Sequence, residues 1–275
     1  MIRFVLVLLM SLIIISCSNN LEPNKNTSLR SFETSFETES DFAGFYIVPP
    51  GDYDSYHVKS ADNVYDGSYS HKAWILKARA ENNDGLVYLP HRAYPTIQFK
   101  KITDGVFRTP CLVSLWVNLE MTLIDRPNGN IDDWFSFVTL TPDTSDNWSR
   151  TVLVNLTPDG YVKLVHVPLQ GQQQRIYQAD STNDPVGNLS FLQKKWVRFD
   201  ILIDFNSTNG FAKVWQNGTL ISHAKVEGGN GYLAQAHFGL YASAAISAGV
   251  IYNDKLRIKE VSNESEAISL VNSTW

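Results

Sequence analysis

The segment from His91 to Phe99 reads His-Arg-Ala-Tyr-Pro-Thr-Ile-Gln-Phe, and in extended form it places Arg92, Tyr94, Thr96 and Gln98 on one face. A cation, a phenol, a hydroxyl and an amide in line make a floor for a polar ligand. In Tyr161 to Val167, His166 shares a face with Leu164, and in Gln235 to Tyr241 the residues His237, Gly239 and Tyr241 face one way while Phe238 and Leu240 face the other. Each such histidine or tyrosine taken alone is more often a hydrogen-bonded structural residue than a catalyst. Taken together, the three segments point to a functional site more than any one of them does.

The elements that must position these residues are strands. Short runs rich in Val, Ile, Phe, Trp and Thr recur from Trp74 to Glu260, separated by turn formers such as Thr157-Pro158-Asp159-Gly160. Asn217-Gly218, flanked by Val214-Trp215 and Leu220-Ile221, predicts a two-residue hairpin with positive φ at both turn positions. No long amphipathic helix competes, so the expected fold is all-β, a β-jelly roll of the concanavalin A-like kind with two stacked antiparallel sheets. Alternation assigns Val197, Phe199, Ile201, Ile203 and Phe205 to the core, with Arg198, Asp200 and Asp204 outward. It likewise assigns Cys111, Val113, Leu115, Val117 and Leu119 to the core and leaves Ser114, Trp116, Asn118 and Glu120 on the far face. An outward Trp beside an Asn suits sugar stacking, and a covering loop would explain it equally well.

Length and composition set the bounds. The 275 residues, 44% hydrophobic and 19% charged, suffice for a packed core, and a net charge of −5 makes nucleic acid an unlikely partner, because polyanion wrapping needs surplus Lys and Arg. Arg3 followed by the apolar run Phe4 to Ile15 reads as a secretory signal, shorter than the roughly 20 residues a membrane-spanning helix needs. The run ends in Ile14-Ile15-Ser16-Cys17, which resembles the lipobox of bacterial lipoproteins. The resemblance implies lipidation at Cys17, export to the outer membrane, and membrane attachment through the lipid alone. Residues 1–17 are then signal, 18–40 a polar tether, 41–262 the jelly-roll domain and 263–275 a C-terminal tail, in a protein expected to be monomeric. Cys111, the second of two cysteines, opens an apolar run and reads as a buried hydrophobe. Asn-X-Ser/Thr sequons at Asn26, Asn147, Asn155, Asn188, Asn206, Asn217, Asn263 and Asn272 would be glycan acceptors in a eukaryotic secreted chain, and are chance in an Asn-, Ser- and Thr-rich bacterial one.

An Arg-bearing early strand, a strand carrying X-Ile/Val-His and a late strand with Gly-X-Tyr resemble the layout of jelly-roll polysaccharide lyases. These are the alginate lyases of family seven and the related heparinase-I-like and glucuronan lyases. Against the late motif Tyr-Phe-Lys-X-Gly-X-Tyr, Gly239 and Tyr241 match and His237 stands where the family has Lys. Leu164-Val165-His166 keeps the His of Gln-Ile/Val-His without its Gln, and of Arg-X-Glu-Leu only Arg92 remains. The overlay spans most of residues 42 to 262, and Gly210 to Gly218 is similar to a hairpin common to concanavalin-like sandwiches.

The resemblance implies β-elimination on an acidic, uronate-containing polysaccharide. Proton removal at C5 needs the C6 carboxylate neutralised, a base at C5 and an acid at the glycosidic oxygen. Arg92 would neutralise the carboxylate, with help from Gln98 or His237. His166 would be the base, alone or with Tyr241, and Tyr241 would protonate the leaving oxygen. Tyr94, Gln98, Trp116, Asn118 and His237 complete the expected substrate-binding set. The alternative is a non-catalytic carbohydrate-binding lipoprotein of laminin-G or concanavalin-like fold.

Other chemistries lack their residues. The concanavalin-like glycosidase pattern Glu-X-Asp-X-X-Glu, Gly-X-Ser-X-Gly, a P-loop and His-Glu-X-X-His are all absent. No cofactor is required by this chemistry. A structural calcium could be held by Asn253 and Asp254, a pair that resembles calcium ligands of heparinase-like relatives. The Asp125 to Asp133 cluster could also hold one, or be a polar surface turn.

Overall fold

The computed structural model describes residues 28–42, 46–47, 54–79, 89–99, 105–126, 132–145, 147–169, 175–177 and 189–273. The expected signal segment and Cys17 lie outside them. Two antiparallel sheets stack as a sandwich. The first runs β15 (Thr219–Lys225), β14 (Phe211–Gln216), β13 (Val197–Asp204), β8 (Cys111–Met121), β18 (Gly249–Glu260), β4 (Ser70–Ile75) and β3 (Ser55–Ser60), with β1 (Ser31–Thr34) also on β18. The second runs β12 (Arg175–Tyr177), β11 (Val162–Val167), β10 (Thr151–Leu156), β9 (Phe135–Thr141), β17 (Gln235–Ala242), β6 (Pro95–Gln98) and β2 (Tyr46–Ile47), with β5 (His91–Ala93) on β17. A small ladder joins β7 (Phe107–Arg108) to β16 (Tyr232–Leu233).

The alternating residues of β8 and β13 pack as the sequence requires. Val113, Leu115, Val117, Phe199, Ile201 and Ile203 are buried between the sheets, against Phe137, Leu140, Phe238 and Leu240 of the second. Cys111 is buried and free, and desolvation pushes its thiol well above the ordinary range, as a small hydrophobe's would be. Asn217 and Gly218 have φ of 49° and 79° and close the β14–β15 hairpin.

Two boundaries differ from expectation. Ser31–Thr34, placed in the tether by composition, pairs with Leu256 to Lys259 as an edge strand. The segment expected to be a tail carries helix α1 (Glu264–Val271), whose N-cap Asn263 accepts from the Glu266 amide at 3.0 Å. Its residues Ala267 and Val271 cover Leu112, Leu202 and Trp215, apolar groups on the outer face of the first sheet that would otherwise meet water. Asp200 points out of the sandwich as alternation requires, yet is fully buried, with Arg198 Nε 2.8 Å from its carboxylate and the Arg198 guanidinium donating to the Val271 carbonyl. Among the described residues no helix is long and apolar enough to cross a membrane.

Candidate functional site

The outer face of the second sheet gathers most of the expected residues. Because β17 pairs with β5, β6 and β9, the register sets Tyr241 opposite Arg92 and Ser136, and His237 opposite Thr96 and Thr139. Ser136 in turn faces Asn155 on β10, and Asn155 faces Lys163 on β11. Arg92, Tyr241, Ser136, Asn155 and Lys163 therefore form one row over five strands, about 19 Å at ordinary strand spacing. Gly239 sits at an irregularity of β17 with φ +115°, and a Cβ there would stand 2.9 Å from His71 and 3.1 Å from the Ala93 carbonyl. A bare backbone at this point lets His237 and Tyr241 emerge on the same side.

Around these residues an aromatic cluster closes. Tyr94 stacks on His237 at 4.0 Å and 16°, Trp148 covers His237 at 4.9 Å, and His237 meets the Tyr241 edge at 5.4 Å. His237 is 6% exposed, and neither ring nitrogen has a hydrogen-bond partner among the described residues. Burial, aided by the nearby Arg92 charge, lowers its pKa to about 3, so the ring is neutral at physiological pH. Arg92 lies over the Tyr241 ring at 5.8 Å. Burial raises the Tyr241 phenol and the Arg92 contact only partly offsets this, so the phenol is protonated and able to donate. Gln98 donates to Gln235 at 3.0 Å beside this cluster.

Tyr241 also borders a groove of about 750 Å³, with Trp134 at 4.9 Å and 71° as its second aromatic wall. Leu153, Asn155, Lys163 and Val165 supply the sheet side, and Asp125, Asp132, Asp133 and Asp159 the rim. The volume falls within the range of small-ligand sites. Of the expected catalytic and sugar-binding residues only Tyr241 lines this groove; Arg92, Tyr94, Gln98 and His237 lie beside it.

Three expectations are corrected. His166 is on the second sheet but turned into the sandwich with Leu164, fully buried, its Nδ1 2.9 Å from the Thr151 carbonyl and its Nε2 accepting from the Glu227 amide at 3.1 Å. An imidazole sealed there cannot reach a substrate on the outer face, so it is no base. Trp116 and Asn118 belong to the first sheet, on its outer face, where Tyr65 stacks on Trp116 at 3.9 Å and 16°. The covering loop, and not a sugar, accounts for that Trp. Asn253 and Asp254 point to opposite faces of β18: Asn253 meets His71 at 3.1 Å inside the sandwich, while the Asp254 carboxylate accepts from the amides of Tyr65, Asp66 and Lys255. They cannot share a calcium ion, and no cluster of metal-ligating side chains occurs among the described residues. Residues 127–131 of the Asp125 to Asp133 turn lie outside the description.

The residues missed were Trp134, Trp148, Asn155, Lys163 and Asp159, whereas Asp125, Asp132 and Asp133 belong to the cluster read as a possible calcium site. A signal for three of them was present: alternation with Phe135 and Phe137 turns Trp134 outward, and alternation in β10 and β11 does the same for Asn155 and Lys163. Trp148 stands in a loop, where no periodicity operates.

Comparison with known proteins agrees at the level of fold. The chain resembles a solved endo-β-1,4-glucuronan lyase from Trichoderma reesei, at 10% identity and a TM-score of 0.55, over 84% of this chain and 95% of that one. It resembles the cellulose-induced protein Cip1 at 15% identity and a TM-score of 0.54, over 82% and 96% of the two chains. These likenesses show a concanavalin-like sandwich. No family model and no curated protein matches the sequence.

Proposed function

We propose that this protein binds a uronate-containing polysaccharide across the outer face of the second sheet. The observation that carries the reading is the pair Trp134 and Tyr241, set edge to face along a groove of about 750 Å³, with the Arg92 guanidinium over the Tyr241 ring at 5.8 Å. Aromatic walls stack on the apolar faces of sugar rings, and a guanidinium beside a phenol accepts a C6 carboxylate. The fold shared with a glucuronan lyase fits this reading without specifying it. Export as a lipoprotein through Cys17 is part of the same proposal and would place the groove where external glycans are met.

Cleavage by β-elimination is a second reading, favoured by the Arg92–Tyr241 pair. Arg92 would neutralise the carboxylate and Tyr241 would protonate the leaving oxygen. The base is the difficulty: His166 is sealed in the core and His237 lies under Trp148, so Tyr241 would have to take the C5 proton as well. A phenol raised by burial is poorly suited to that, and binding is the stronger reading. The test is titration calorimetry of the purified protein with uronate-containing glycans, followed by ultraviolet absorbance for the unsaturated uronate. Affinity without new absorbance supports binding alone. Absorbance that Tyr241→Phe abolishes establishes cleavage, and no affinity for any such glycan removes both readings.

A further inference from the structure

Trp148 does not line the groove, yet a run of rings joins it to the groove wall. Trp134 meets Tyr241 at 4.9 Å, Tyr241 meets His237 at 5.4 Å, and His237 meets Trp148 at 4.9 Å and 44°. Tyr241 and His237 are both carried by β17. Just beyond one end of that strand the Ser243 amide donates to the Trp134 carbonyl at 2.9 Å, and Gln235 opens the strand at the other end. The four rings therefore follow the length of β17, with a half-buried tryptophan at either end and Arg92 beside the run, opposite Tyr241.

A buried amide holds the far tryptophan in place. Trp148 stands in the β9–β10 loop at a φ of +51°, a region that bulky side chains seldom occupy. The Asp143 carboxylate accepts from the amides of Ser145 at 2.8 Å and Ser149 at 3.0 Å, and the Thr141 hydroxyl donates to the Ser149 carbonyl at 2.6 Å. Gln235 is 2% exposed, and its Nε2 donates to the carbonyls of Asp143 and Ser145 at 2.6 and 2.8 Å while its Oε1 accepts from Gln98 Nε2 at 3.0 Å. Both amide hydrogens and the oxygen of Gln235 are engaged, so one side chain ties β6, β17 and the loop together. Gln98, expected to touch sugar, orients Gln235 instead. Strained backbone that its surroundings over-determine is characteristic of ligand clamps, and a ring fixed before binding loses little freedom when a ligand arrives.

We propose that Trp148 is a second stacking platform, that Gln235 and Gln98 position it, and that the ligand is a chain long enough to lie along β17 from Trp134 to Trp148 with a carboxylate at Arg92 between them. The proposal rests on the binding reading above and adds to it a minimum chain length.

The experiment titrates the full chain by calorimetry with oligoglucuronates and oligoalginates of two, four and six rings, beside the parent polymers. Affinity should rise about tenfold from two rings to six, Trp148→Ala should cut that gain to about twofold, and Trp148→Phe should restore most of it. Trp134→Ala should instead weaken binding at every length. Gln235→Ala should reduce the gain as Trp148→Ala does, and so should Gln98→Ala, a milder change at a half-buried residue. Because the gain is a ratio taken within each variant, a smaller folded fraction cancels from it. Affinity that stays flat with length in the parent, or a full gain in Trp148→Ala, overturns the platform and leaves the binding reading standing. A gain that survives both glutamine substitutions overturns the positioning role. Absence of binding by every oligomer and polymer removes the binding reading itself.

Discussion

His166 and Trp134 end in opposite surroundings, and substitutions separate their roles. His166 satisfies two backbone groups inside the sandwich, the Thr151 carbonyl and the Glu227 amide. Replacing it with Ala leaves both unpaired in an apolar core and should cost about 2–4 kcal/mol in urea unfolding. At temperatures where that variant stays folded, glycan affinity should be unchanged. Trp134→Ala should act in reverse, with stability close to the parent and affinity about tenfold lower by calorimetry, because an exposed wall of the groove is lost without a buried one.

At the scale of elements, the course of β17 decides where His237 and Tyr241 emerge. Gly239→Ala would force a Cβ to within 2.9 Å of His71 at a φ of +115°, so a loss of about 2–4 kcal/mol is expected in denaturant titration. Affinity should fall with it, since Tyr241 follows Gly239 by two residues. Helix α1 works on the opposite sheet. Ending the chain at Ser262 uncovers Leu202 and Trp215 and strips Arg198 of the Val271 carbonyl, which should lower stability by roughly 3 kcal/mol and leave glycan binding intact.

For the whole molecule, buried imidazoles set the response to acid. Burial lowers His57 from 6.5 to about 4 and His237 to about 3, and it lowers His71 well below 6.5 with His57 contributing. Between about pH 6.5 and those values the unfolded chain binds protons that the folded chain refuses, so stability is full above pH 6.5 and falls as pH drops. Asp254 runs the other way: raised from 3.8 to about 6, it favours the folded chain at lower pH across that interval. Asp200 and Asp125 are raised as well, from an ordinary value below pH 5, and across pH 7 to 5 the three imidazoles outweigh these carboxyls, so the urea midpoint should be lower at pH 5 than at pH 7. A midpoint that rises toward pH 5 would contradict this. The lipoprotein proposal is checked at the same scale: radiolabelled palmitate should enter the chain in a bacterial host, and Cys17→Ala should abolish the label.

By itself the sequence determined the sandwich and the faces of its strands, because burial alternates with period two and a one-residue slip would turn every Val, Ile and Phe of β8 or β13 toward water. It also determined that Arg92 and Gln98 share one face of their segment and His237 and Tyr241 one face of theirs, since each strand's own alternation suffices. Only the tertiary structure decided which sheet each strand joins and what covers each face. Trp116 and Tyr241 are both outward residues on strands flanked by apolar neighbours, yet one is capped by Tyr65 and the other opens on a groove. Alternation says that His166 opposes Lys163, and only the stacking of the second sheet on the first makes the histidine side the interior. Loop cover and strand partners come from contacts far apart in the chain, and no periodicity within a single segment encodes them.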